Sequence, residues 1–203
     1  MKFPSFTFKT LFSLLVAACI WIPVQAWSGE ATRQVEETVK QAIAILEDPQ
    51  MGGPEKHNAR REKLRTVLMQ RFDFEKMSQS ALGRKWLNFN PDQRRRFVTL
   101  FRKILEDAYA DKIEGYQGEP FSFTKETLTQ DRFAQVDSVV VFKGQSFGVS
   151  YRMVLENGQW LVYDVIIEGI GLVANYRSQF DQILQRESIE DLLAKLETKA
   201  NPK

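Results

Sequence analysis

The pentapeptide Gly144-Gln145-Ser146-Phe147-Gly148 has the G-x-S-x-G spacing of a serine hydrolase nucleophile elbow. That chemistry needs the serine on a strand-to-helix turn, with an acid and then a histidine later in the chain. Here both flanks read as strand, and the only histidine, His57, precedes the serine. No base follows it, so acyl transfer is not expected. His57 lies in a charged, polar segment and is expected to be solvated. No His/Cys/Asp/Glu spacing offers a metal site, and no glycine-rich loop opens a helix as a phosphate cradle. Asp164 and Glu168 fall on one face of a predicted strand, roughly 13 Å apart by strand rise. That is too far for a paired acid and base. Asp164 is expected instead to anchor a hydrogen bond to a neighbouring strand or helix. The sequence assigns no catalytic residue, no metal and no cofactor.

The N-terminus carries Lys2 and Lys9, an apolar run from Leu11 to Ile22, and then Val24-Gln25-Ala26. Together these predict a secretory signal peptide over residues 1–26. Val16-Ala17-Ala18-Cys19 is similar to a lipoprotein box, but Ile20-Trp21-Ile22-Pro23 stays apolar where such boxes turn polar. Cys19 is the only cysteine of the 203 residues and leaves with the leader. The remainder, 27–203, is expected to be a single domain without disulfides. Its charge is unevenly spread. Lys56–Lys103 holds 14 basic and 4 acidic residues, whereas Ile104–Lys203 holds 10 basic and 16 acidic. The basic segment points to an acidic partner or an anionic lipid surface, with a solvated helix face as the competing reading. Nucleic acid is not an expected partner of an exported, balanced chain.

Two kinds of periodicity divide the chain. Thr32–Leu46 places Val35, Val39, Ala42, Ile43 and Leu46 at helical spacing. Breakers over Asp48–Pro54 predict a loop, and Glu55–Gln70 a second, basic helix. Asp73 is a candidate cap for a short helix ending near Leu82, with Gly83 as its stop. Asn90-Pro91-Asp92-Gln93 is a strong helix start. The helix it opens carries a stripe of Phe97, Leu100, Phe101, Ile104, Leu105, Ala108, Tyr109 and Ile113. Beyond Gly118 the period changes. Phe121–Leu128, Phe133–Lys143, Ser146–Glu156 and Gln159–Glu168 read as four strands, with Glu156-Asn157-Gly158 as a hairpin turn. Leu172–Gln185 reads as a helix, and Ser188-Ile189-Glu190-Asp191 opens a last one. Helical parts at about 27–118 and 172–198 around a sheet at about 121–168 predict an α+β fold, with helices against one face of a curved antiparallel sheet. One anomaly stands out. In Tyr163–Arg177 (YDVIIEGIGLVANYR) the strand is apolar on both faces and does not alternate cleanly.

Three stretches then carry a resemblance: FDFEKMSQSALGRKW from Phe72, NPDQRRRFVTLFRKILEDAYADKIEGY from Asn90, and WLVYDVIIEGIGLVANYRSQF from Trp160. In this order, behind a signal peptide, they resemble the MlaC-type periplasmic phospholipid-binding proteins, the toluene-tolerance family. The resemblance spans roughly 64–184. Gly171 departs from it, standing where a serine is more usual, and so does Met51–Lys56. The resemblance implies a curved antiparallel sheet like the nuclear-transport-factor-2 roll, with acyl tails between sheet and helices and the head group facing solvent. It implies a periplasmic phospholipid carrier, not an enzyme, with bound lipid as cargo. Its partners would be an inner-membrane ABC transporter with an MCE-domain protein and an outer-membrane lipoprotein complex, and its role outer-membrane lipid asymmetry. A hopanoid as cargo, or a chaperone or scaffold using the same groove, are the alternatives.

On that footing the candidates for the tail pocket are Val139, Val141, Val149, Tyr151, Val165 and Ile167 of the sheet, and Phe97, Phe101, Leu105 and Tyr109 of the long helix. Ordinary core packing is the competing reading for each. Arg84, Lys85, Arg94, Arg95 and Arg96 are the candidates for docking a partner or a head group.

Overall fold

The computed structural model describes residues 29–116, 118–142 and 144–201. The predicted leader with Cys19, and Lys143, lie outside them. Helix α1 (Glu30–Leu46) leads through two short 3-10 turns to α2 (His57–Met69), α3 (Phe74–Leu82) and α4 (Pro91–Glu114). Strands β1 (Phe121–Thr129), β2 (Phe133–Phe142), β3 (Gln145–Glu156), β4 (Gln159–Ile167) and β5 (Ile170–Gly171) follow, then α5 (Leu172–Leu184) and α6 (Ile189–Ala200). The five strands form one antiparallel sheet in sequence order. The fold is α+β, with one short strand more than the four expected. The turn Glu168-Gly169, both at positive φ, doubles the chain back for two residues before α5 begins.

Local capping explains most helix boundaries. Asp73 accepts from the Lys76 N–H at 2.8 Å. Asn90 and Gln93 form a reciprocal box, each side chain accepting the other's backbone N–H, and Ser188 with Asp191 forms another. Such caps satisfy backbone donors that have no partner inside the helix. Helices α1 and α5 are capped differently. Both have glycine at the N-cap and no cap from that residue's side chain. Instead, Glu126 of β1 accepts from the Thr32 N–H and hydroxyl at 2.7 and 2.6 Å, and Asp164 of β4 accepts from the Val173 N–H at 3.0 Å. A Cβ on Gly29 would stand 1.8 Å from the Glu126 carboxylate, so the approach depends on glycine there.

Two apolar cores result. One is helical and aromatic, built by α3, α4, α5 and α6 around Phe97, Phe101, Tyr176 and Phe180. Phe101 lies 5.0 Å from Tyr176 and 5.5 Å from Phe180, edge to face in both cases, an arrangement that favours the ring quadrupoles. The other packs Ala31 and Val35 of α1 on Ala134, Val136, Met153, Trp160 and Val162 of the sheet. Phe72, between α2 and α3, borders both cores. Its neighbours pair with β4: the Val162 N–H donates to the Arg71 carbonyl at 2.7 Å, and the Asp73 N–H to the Val162 carbonyl at 2.9 Å.

Candidate binding cavity

Where the two cores meet, a partly open apolar cavity of about 270 Å³ remains. Val35 and Val39 of α1, Leu68 and Met69 of α2, Phe74 and Met77 of α3, and Leu105, Tyr109 and Ile113 of α4 line it on the helical side. Tyr151, Val162, Val165 and Ile167 line it from the sheet, and Leu172 from the start of α5.

Strand β4 shows how the sequence builds that wall. Val162 pairs with Met153, but Asp164 pairs with Arg152, so Tyr163 is an extra residue opposite a continuous β3. Such a bulge shifts the phase of alternation by one. Trp160 and Val162 face inward before it, Val165 and Ile167 after it. The oily, non-alternating strand is therefore one inner face read in two phases. On its other face, buried Asp164 binds the first turn of α5, with Arg152 at 3.5 Å. Burial raises the Asp164 carboxyl above its ordinary pKa, opposed by the Val173 hydrogen bond and by Arg152. A Cβ at Gly171 would lie 3.4 Å from this carboxylate. The carboxylate fills the capping place that a serine at 171 would share.

The cavity has few polar groups. Burial pushes the Tyr151 phenol up to about 12, with Ser138 opposing, and raises Tyr109 as well. Arg71 lines the cavity and, among the described residues, hydrogen-bonds neutral acceptors only: Thr38 Oγ1 at 2.9 Å, Gln34 Oε1 at 2.9 Å and the Trp160 carbonyl at 3.0 Å. Burial lowers the pKa of its guanidinium, opposed by the charge of Glu37. Behind Leu68, Met69, Phe74, Glu106 and Ile113, which are common to both, a groove of about 770 Å³ runs between α2 and α4. Helix α2 buries only Leu64. It is tied to α4 by a polar contact of His57 with Glu114 at 2.9 Å and by ion pairs, Arg61 at 2.7 Å from Glu114 and Arg65 at 3.6 Å from Glu106.

Five of the ten expected pocket residues line the cavity: Leu105, Tyr109, Tyr151, Val165 and Ile167. Phe97 and Phe101 sit lower on the same stripe of α4, wholly buried against Phe180. Val139 and Val141 lie on the opposite face of β2 from Val136, which packs on α1. Val149 shares the inner face with its partner Ile167 but is outside the cavity's lining. The expected docking residues all surround the helical core. Lys85 pairs with Asp181 at 3.1 Å, Arg95 with Asp92, and Arg96 with Glu190 and Glu197. Arg94 stacks over Trp86, and Arg84 is exposed. Ser146 is exposed on β3, opposite Val141, in a strand hairpin with no helix after it. The lining residues of α1, α2 and α3 escaped sequence reading, because nothing in their helical period separates a cavity wall from a core wall.

A family model described as MlaC protein matches residues 36–198. The chain is 22% identical over 152 residues to the intermembrane phospholipid transport system binding protein MlaC of Haemophilus influenzae, an alignment covering 71% of this chain and 70% of that protein. It is 26% identical over 131 residues to the toluene tolerance protein ttg2D of Pseudomonas putida, covering 64% of this chain and 61% of that one. The fold matches a Ralstonia solanacearum phospholipid-binding protein, solved in complex with a phospholipid, with a TM-score of 0.73 and 24% identity, covering 85% of this chain and 97% of that one. With its motifs in order and most of its described length matched, the chain belongs to the MlaC family.

Proposed function

We propose that this protein is a periplasmic phospholipid carrier, one domain over 27–203, that holds acyl chains in the cavity between sheet and helices. The observation that carries this reading is the apolar cavity at the junction of the two cores, walled by fifteen apolar or aromatic side chains from the helices, from Phe72 and from the sheet. Ligand sites of this kind are apolar with a few placed polar groups. The family relationship supports transport between membranes, with an MCE-domain ABC transporter and an outer-membrane lipoprotein complex as docking partners, and a role in outer-membrane asymmetry. The chemistry is binding, not catalysis.

Energetics favours exchange with a membrane over release to water. Burying a methylene is worth about 0.8 kcal/mol, so two typical tails exceed about 20 kcal/mol, at the ceiling of non-covalent binding. Tails already dry in a bilayer cost little to transfer. The cavity's 270 Å³ lies below the roughly 300–1,000 Å³ of sites that enclose a drug-sized ligand. Two tails therefore need the α2–α4 groove as well, through displacement of Leu68 and Met69 on the thinly packed α2.

The test is native mass spectrometry of protein purified without detergent, before and after organic extraction. A mass excess of one or two phospholipids that extraction removes is expected. Bare protein that also takes up no lipid from vesicles would refute the carrier reading and favour a scaffold or chaperone.

A further inference from the structure

Three of the cations that line the cavity or its adjoining groove have a carboxylate within reach. Arg61 meets Glu114 at 2.7 Å, Arg65 meets Glu62 at 3.2 Å, and Arg102 meets Glu106 at 2.6 Å. A fourth, Lys103 at the groove's exposed side, donates to Asn201. Arg71 is different. It is half-buried, it lines the apolar cavity itself, and no described carboxylate lies within 4.0 Å of it. Its Nε and Nη1 are held by Thr38, Gln34 and the Trp160 carbonyl, all neutral, while Nη2 has no hydrogen-bond partner among the described residues. Thr38 and Gln34 are themselves buried, so the fork is fixed in place before any ligand arrives. A guanidinium half-withdrawn from water, with Glu37 acting on it only beyond ion-pair distance, gains from an anion that joins it, and a planar fork matches phosphate oxygens.

We propose that Arg71 binds the phosphodiester of the phospholipid whose acyl chains occupy the cavity, so that the protein selects anionic-phosphate lipids over uncharged lipids with identical tails. The inference rests on the carrier reading and assigns to it a head-group anchor. Arg71 thereby acts as a specificity residue, beyond its role in tying α1 and β4 to the segment before α3.

The experiment uses the protein produced from its full-length sequence. Uptake is measured from vesicles containing either phosphatidylglycerol or diacylglycerol with the same acyl chains, counted per chain by mass spectrometry. The wild type should favour the phospholipid by roughly tenfold or more, the scale of a charge-assisted hydrogen bond. Arg71→Gln should reduce that ratio toward one. Arg71→Lys should restore part of it. Thr38→Val, which removes one tie to Arg71 but keeps its charge, should lower the preference less than Arg71→Gln does.

If Arg71→Gln does not fold, the wild-type ratio and the Arg71→Lys variant still decide. A wild type that takes both lipids equally overturns the anchor but leaves the carrier intact. A wild type that takes neither overturns both. A preference undiminished in Arg71→Gln overturns the anchor. Inorganic phosphate at millimolar concentration should not displace bound lipid. Phosphate binding without lipid uptake would overturn the assignment to a lipid head.

Discussion

Along one stripe of α4, Phe97 and Phe101 are completely buried while Leu105 and Tyr109 face a cavity. The upstream pair meets α5, whose Tyr176 and Phe180 fill the space between the helices. The downstream pair faces the sheet across the cavity, and the register of β4 shifts there at the bulge of Tyr163. The same helical period thus serves as core in one half and as binding wall in the other. The partner layer decides which. Aromatic rings on two helices interdigitate at close range. A curved sheet against a helix leaves a void unless large side chains fill it, and here Val162, Val165 and Ile167 do not.

The sharpest way to break this contrast is to truncate the filled half and to overfill the cavity half. Phe101→Ala in the filled half should cost about 3–5 kcal/mol, as for other buried phenylalanines, read as a lower urea midpoint. Val165→Trp in the cavity half should do the reverse. It should change stability by less than about 2 kcal/mol, since a void can absorb volume that a packed core cannot, while lipid recovered per chain falls severalfold. Equal destabilisation by the two substitutions would erase the distinction.

A smaller effect tests the hinge between β4 and α5. Asp164→Ala should cost about 1–3 kcal/mol by leaving the Val173 N–H without its partner. Asp164→Asn keeps an acceptor and should cost less. Because the folded carboxyl is raised, its contribution to stability is fully present below the ordinary value of 3.8 and is lost as pH rises through the raised pKa. Urea midpoints of the wild type should therefore fall across that window relative to those of Asp164→Asn. The smallest effect belongs to the surface. Arg96→Ala, which removes exposed pairs with Glu190 and Glu197, should cost at most about 1 kcal/mol and leave lipid content unchanged.

What was legible in the sequence follows how far each determinant reaches. The boxes at Asn90–Gln93 and Ser188–Asp191 close within one turn, so their helices were placed from sequence. The Asn157-Gly158 turn sits at positive φ, as its residue types demand. The cap of α1 was not visible, because its carboxylate comes from β1, with Glu126 94 positions from Thr32; Asp164 was expected to anchor a neighbouring strand or helix and does bind α5, but the sequence did not say which element it would meet. The failed alternation after Tyr163 was visible, but its meaning depended on the register with β3. For the same reason Leu105 and Tyr109 were inseparable from Phe97 and Phe101, and Val139 and Val141 from the inward-facing residues of β2. Arg71 gave no signal among the many basic residues around it, since its lack of a carboxylate partner is a property of the assembled layers.

The most direct test of the cavity as the lipid site uses a phospholipid carrying a photoreactive group on one acyl chain, irradiated on the protein and mapped by peptide mass spectrometry. Cross-links should fall on β4 around Val165 and Ile167, on Leu105 and Tyr109 of α4, and on Leu68 and Met69 of α2. Cross-links confined to the helical core around Phe97 and Phe180, or to the outer face of β2 at Val139 and Val141, would contradict it.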